Sequence, residues 1–195
     1  MENLSSAISE SQIKKEVVNK NMLYIGIFSI LMLFAGLTSA YVVAQGDGRW
    51  IEFELPFMFW VSSGIILISS ATMNWALISV KTNNYKNLKI ALLITIFLGL
   101  AFCVTQFLGW RELLGAGIFF AGKTSNPGGS FIYLLSGVHL IHIVSGLIYL
   151  GVIYSKSVKN AYNANNYGGV RNSALYWHFL DALWIYLFVF LYFTK

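Results

Sequence analysis

Five apolar runs, each of about twenty residues or more, dominate the chain: 22–44, 57–80, 88–110, 130–155 and 174–194. A helix needs roughly 20 apolar residues to cross about 30 Å of hydrocarbon. Backbone polar groups in lipid must be satisfied internally, which leaves helices or closed barrels. The runs are too long for barrel strands and do not alternate. With 57% hydrophobic and 11% charged residues over 195 positions, the chain does not read as a water-soluble domain. The expectation is an all-α, polytopic bundle of five transmembrane helices. Residues 1–21 form a polar cytoplasmic tail and 22–195 a single membrane domain. Connections such as "KTNNYKN" are too short for a folded soluble domain.

The basic residues set an expected orientation. Nine of them flank one side: Lys14, Lys15, Lys20, Lys81, Lys86, Lys89, Lys156, Lys159 and Arg171. Four flank the other: Arg49, Arg111, Lys123 and Lys195. The positive-inside bias then places the N-terminus inside and the C-terminus outside. This dispersal also accounts for the net charge of +5 without a nucleic-acid partner. The polar start of the chain, "MENLSSAISESQIKKEVVNK", does not read as a secretory leader, so the first helix is expected to direct insertion.

Polar residues deep in lipid are costly, and this makes them the candidates for function. They are Gln106 in the third run, His139 and His142 in the fourth, and His178 with Asp181 in the fifth. Arg111 and Glu112 follow at the outer end of the third run. At about 1.5 Å per residue, His142 and Asp181 fall at similar depths. Their contact across the fourth and fifth helices is the expected pairing, with His178 ranked second as partner. A structural role and a step in a proton path are both open for Asp181. His139 and His142, three apart on one helix, cannot supply opposite axial ligands to a haem. The lone Cys103 forms no intrachain disulfide, and no Cys–His set has zinc spacing. Gly and Ser residues in the first, second and fourth runs read as close-packing positions. Trp50, Trp60, Trp110, Tyr176 and Trp177 read as interfacial anchors near span ends. From the residues alone, a small proton or solute transporter and a subunit of a larger membrane complex are both open. Nothing resembles a self-sufficient enzyme.

The last run, "YWHFLDALWIYLFVFLYF", resembles the final helix of the cytochrome c oxidase subunit III family of haem–copper oxidases. Tyr176, Trp177, His178, Phe179, Asp181 and Trp184 occupy its Tyr-Trp-His-Phe-x-Asp-x-x-Trp pattern. "GVHLIH" supplies Gly137, His139 and His142 on the preceding family helix, followed by Gly146. Gln106 and Glu112 fall on the Gln and acidic places of the helix before that. Many members have seven helices, with lipids in a V-shaped cleft; five is similar to the shorter bacterial members. The family's Ser-Glu-x-x-Phe carboxylate is absent, with Ile30 in its place.

This resemblance implies a non-catalytic subunit of a terminal oxidase in the bacterial cytoplasmic (inner) membrane. It implies no catalytic, metal or cofactor-binding residue on this chain. Haem and copper are expected in the catalytic subunit I, with further oxidase subunits, and a larger respiratory supercomplex, as partners. Bound phospholipid and support of proton uptake during turnover are expected too. Quinol oxidases and nitric oxide reductases use related subunits, so the electron donor stays open.

Overall fold

The computed structural model describes residues 2–46, 54–122, 126–160, 162–164 and 166–194. Side chains are described from Val17 onward, apart from Asn19. Arg49, Trp50, Lys123 and Lys195, named above, lie outside the described residues, as do the side chains of Lys14 and Lys15.

Five helices make up the fold: α1 (Glu2–Gln45), α2 (Phe57–Lys81), α3 (Tyr85–Gly115), α4 (Pro127–Val158) and α5 (Gly168–Thr194). All five contain a segment long and apolar enough to cross a membrane, which in α1 is Lys20–Gln45. The backbone of the polar N-terminal stretch is helical from Glu2 and continuous with the first span. α3, α4 and α5 run several residues beyond their apolar runs, and side-chain caps set the starts of α3 and α4. Asn84 caps α3, its side chain accepting a hydrogen bond from the Asn87 amide at 3.2 Å. Asn126 does the same for α4 through Gly128, and Pro127 opens the helix where no amide partner is needed. Asn83 and Asn160, both at φ 53°, turn the chain out of α2 and α4 in the left-handed conformation that asparagine tolerates.

α5 is the central element. It packs against α2, α4 and α1, while α3 packs against α2 and α4. α1 touches only α4 and α5 and buries the least of its span. Its contacts lie towards its C-terminal end. Phe34 meets the rings of His139 and His142, Tyr41 meets Phe131 and Phe190, and Gln45 donates to the Thr194 carbonyl at 3.0 Å. At the opposite end the α2–α3 turn and the α4–α5 connection are tied together. Ala164 donates its amide to Asn83 Oδ1 at 2.9 Å, and Lys89 donates to Asn160 Oδ1 at 3.1 Å.

Lipid tails give helices no hydrophobic reason to associate, so close packing must hold the bundle. Glycines make the tightest approaches. A Cβ at Gly99 would stand 2.7 Å from Leu147 Cδ2 and 2.8 Å from Trp177 Cη2. At Gly109 it would stand 2.6 Å from Phe59 Cε1. At Gly36, on α1, it would meet nothing within 4 Å. Gly99→Ala and Gly109→Ala should therefore each destabilise the protein by about 1–3 kcal/mol through overpacking. Gly36→Ala should cost nothing. Reversible unfolding in mixed micelles measures this, and equal effects at the three sites would refute the packing account.

Candidate functional site

The interior of the bundle is built on two tryptophans of α5, seven residues apart, facing two serine pairs of α2 with the same spacing. Trp177 donates its indole N–H to Ser69 Oγ at 3.0 Å, and Trp184 donates to Ser63 Oγ at 3.1 Å. Of the neighbouring serines, Ser62 serves α3 and Ser70 serves α5. Gln106 Nε2 of α3 donates to Ser62 Oγ at 3.0 Å, and Ser70 Oγ lies 2.7 Å from His178 Nδ1. Trp177 and Trp184 lie seven residues apart on one face of α5, and the serines they bond, Ser69 and Ser63, lie six apart on α2, so two hydrogen bonds cross the α2–α5 contact at different levels.

Trp177 is fully buried, packed on Gly99 of α3 and Gly146 of α4. The expectation of an interfacial anchor is corrected here. α5 begins at Gly168 rather than near Ala174, so Trp177 lies about 14 Å along the helix, well inside the span. Trp60 is half exposed and remains at the surface, and Trp110 donates to Ser136 Oγ at 2.9 Å.

The polar residues singled out in the sequence fall into separate environments. His139 is fully buried and enclosed by aromatic rings: Trp184 at 5.3 Å, Phe102 at 5.9 Å and Phe34 at 6.3 Å between centroids. Neither ring nitrogen has a hydrogen-bond partner among the described residues. His142 turns towards α1, with Nδ1 2.8 Å from the Val138 carbonyl of its own helix and its ring against Phe34. Gln106 is buried and held by Ser62, whereas Glu112 is exposed at the end of α3. Tyr176 and Ser145 share a hydroxyl–hydroxyl hydrogen bond of 2.9 Å between α5 and α4. A Cβ at Gly137 would stand 3.9 Å from Trp110 Cζ2, and Phe179 lines a groove facing α1.

Asp181 is only 3% exposed and so is shielded from lipid. Neither carboxyl oxygen has a hydrogen-bond partner among the described residues, which overturns the expected His142–Asp181 bond. Its nearest titratable neighbour is His178, with Nδ1 4.0 Å from Asp181 Oδ2, and the Ser70 hydroxyl of α2 stands close by. The cause of the miss is rotational. Successive residues of a helix differ by about 100° around its axis. Leu180 points at Gly146 of α4, and Asp181 one position on points at α2. The sequence reading took the α2 serines as packing positions and missed them as hydrogen-bonding partners. The two serine pairs Ser62–Ser63 and Ser69–Ser70, spaced seven residues like Trp177 and Trp184, were the available signal.

What this arrangement does chemically is bind helices together. Among the described residues no group of three or more His, Cys, Asp or Glu side chains stands close enough to hold a metal ion. Trp184→Ala should cost about 3–5 kcal/mol, since it empties the space between α2, α3 and α4. Asp181→Leu should cost less than about 1 kcal/mol, because a carboxyl without hydrogen bonds contributes little beyond its volume. Unfolding in micelles gives the order, and a larger loss for Asp181→Leu would contradict this reading of the site.

Comparison with known proteins follows the same residues. A family model described as "Cytochrome c oxidase subunit III" matches residues 10–195. Cytochrome c oxidase subunit 3 of Rhipicephalus sanguineus is 33% identical over 145 residues, covering 72% of this chain and 51% of that protein. The subunit 3 of Loxodonta africana is 31% identical over 141 residues, covering 71% and 50%. That of Thermostichus vulcanus is 29% identical over 178 residues, covering 87% and 84%. The chain thus spans about half the length of the first two of these relatives and most of the third.

Proposed function

Because the chain belongs to the cytochrome c oxidase subunit III family, we propose that it is an accessory subunit, without its own redox centre, of a haem–copper oxidase in a bacterial cytoplasmic membrane. Its partner is the catalytic subunit that carries the haems and copper, together with the other oxidase subunits. One observation carries the reading: the residues of the Tyr-Trp-His-Phe-x-Asp-x-x-Trp pattern include the two tryptophans around which the bundle packs. The match therefore covers the architecture of the chain rather than a surface motif. The holoenzyme passes electrons to oxygen and moves protons, and this subunit sustains proton uptake in its neighbour.

Purification from native membranes in mild detergent tests this. The chain should co-elute with a larger haem-bearing chain, and the separated chain should be colourless. A complex stripped of this chain should keep its haem spectrum and lose activity progressively over repeated turnovers. Purification without any haem-bearing partner would refute the reading.

A lipid role has support in the shape of the bundle. α1 meets α4 and α5 from Phe34 to Gln45, and near Met22 and Leu23 a cavity of about 650 Å³ separates it from them. Val152 and Ile153 form apolar wall, while Lys156 and Arg171 bring two cations and Tyr149, Tyr162 and Asn172 bring hydrogen-bonding groups. This suits a phospholipid whose acyl chain enters the wall and whose phosphate meets the cations. Lys156→Ala combined with Arg171→Ala should remove an anionic lipid seen by native mass spectrometry, and an unchanged lipid content would refute the site.

The proposed orientation puts these cations and the α2–α3 turn on the cytoplasmic side, supported by the nine-to-four split of basic residues. An impermeant thiol reagent added outside should label Ala121→Cys and spare Lys86→Cys, both at exposed positions. The reverse pattern would invert the topology.

A further inference from the structure

The outward surfaces of the helices differ in one respect. Between Ile90 and Leu108 every exposed residue of α3 is apolar. On α4 the exposed serines of the span, Ser145 and Ser155, bond back to carbonyls of their own helix at 2.7 and 2.9 Å. Each is satisfied in lipid without a partner. The seam between α2 and α5 is different. Asn74 is exposed and makes no hydrogen bond to any described residue. It lies four residues from Ser70, and so on the same edge of α2. Across that edge the His178 side chain is 36% exposed, with Nδ1 held by Ser70 and no described partner for Nε2.

These groups lie within the span. Ser70 is eleven residues from the end of α2 at Lys81, and His178 ten residues from the start of α5 at Gly168. Both distances are about 15 Å along the helix. An amide and an imidazole nitrogen facing hydrocarbon are costly, and such groups usually face protein or water. The outer stripe of α5 continues past His178 to Ala182. There an apolar groove of about 330 Å³ opens between α5 and α1, with Leu31 and Ala35 on one wall and Ala182 and Tyr186 on the other.

We propose that the face formed by the outer edges of α1, α5 and α2 is the docking surface for a transmembrane helix of a different chain. That helix brings a hydrogen-bonding side chain to the level of His178 and Asn74, and an apolar side chain into the α1–α5 groove. Lipid supplies the second and not the first. A two-fold contact with a second copy of this chain sets groove against groove and fills neither. The inference rests on the subunit reading above and locates its interface.

Site-directed photo-crosslinking in native membranes tests it. In a Cys103→Ser background, Asn74→Cys and Ala182→Cys sample this face, and Val104→Cys and Ile148→Cys sample α3 and α4. Each is labelled with a maleimide benzophenone and irradiated. Adducts with a different membrane-spanning chain should form at 74 and 182 and exceed those at 104 and 148. Stronger adducts at 104 or 148, adducts with a second copy, or none at 74 and 182 in an intact complex would overturn the proposal while leaving the subunit reading standing. A preparation containing no other chain would overturn both. In parallel, Asn74→Leu should weaken association about three-fold, and Asn74→Gln should restore it. Equal retention of Asn74→Leu and the unaltered chain would count against the proposed hydrogen bond.

Discussion

The contact of the two α5 tryptophans with the helices around them is the interaction on which the rest of the structure depends. In water, burying an indole is favourable wherever it goes. In lipid the surroundings are already apolar, and only close fit and hydrogen bonding distinguish one arrangement from another. Trp177 is fixed by α2, α3 and α4, with Ser69 holding its N–H and Gly99 and Gly146 giving its ring room. Trp184 repeats this one heptad along, between Ser63, Phe59, Phe102 and His139. α5 is therefore the axis of the bundle. α1, which contributes no glycine to these contacts, is left as a peripheral helix with space behind one end.

Much of this was legible in the sequence, for a simple physical reason. Spanning a membrane requires long apolar runs, and each of the five runs expected from hydropathy lies within one of the five helices. Helix ends were less legible, because α3, α4 and α5 extend beyond the hydrocarbon-like stretch, α3 and α4 from polar caps. The signals were present in Asn84, Asn126 and Pro127, but hydropathy does not register them. Misplacing the start of α5 turned the buried Trp177 into an expected surface anchor.

The polar residues show a second limit. Counting residues along a helix gives depth, and depth alone placed His142 opposite Asp181. It says nothing of direction around the axis, where one residue is about 100°. His142 faces Phe34 of α1 and Asp181 faces α2. The four residues read as one buried cluster thus divide between an aromatic box around His139 and a seam around His178, with Trp184 beside the box. Direction was recoverable only from paired spacings on two helices, the Ser62–Ser63 and Ser69–Ser70 pairs of α2 and the Trp177/Trp184 column of α5.

The described residues give a closely packed interior centred on α5, and the outer α2–α5 edge carries the polar groups of Asn74 and His178. The packing of α5 against its neighbours is tested most directly by a double-mutant cycle between Trp177→Phe and Gly146→Ala of α4, measured by unfolding in micelles. A Cβ at Gly146 would stand 3.2 Å from Trp177 Cε3. If that contact is what holds α4 to α5, the smaller ring relieves the added methyl, and the double variant loses less stability than the sum of the single changes. Strict additivity would show that the tryptophan and the glycine do not bear on one another, and would contradict the account.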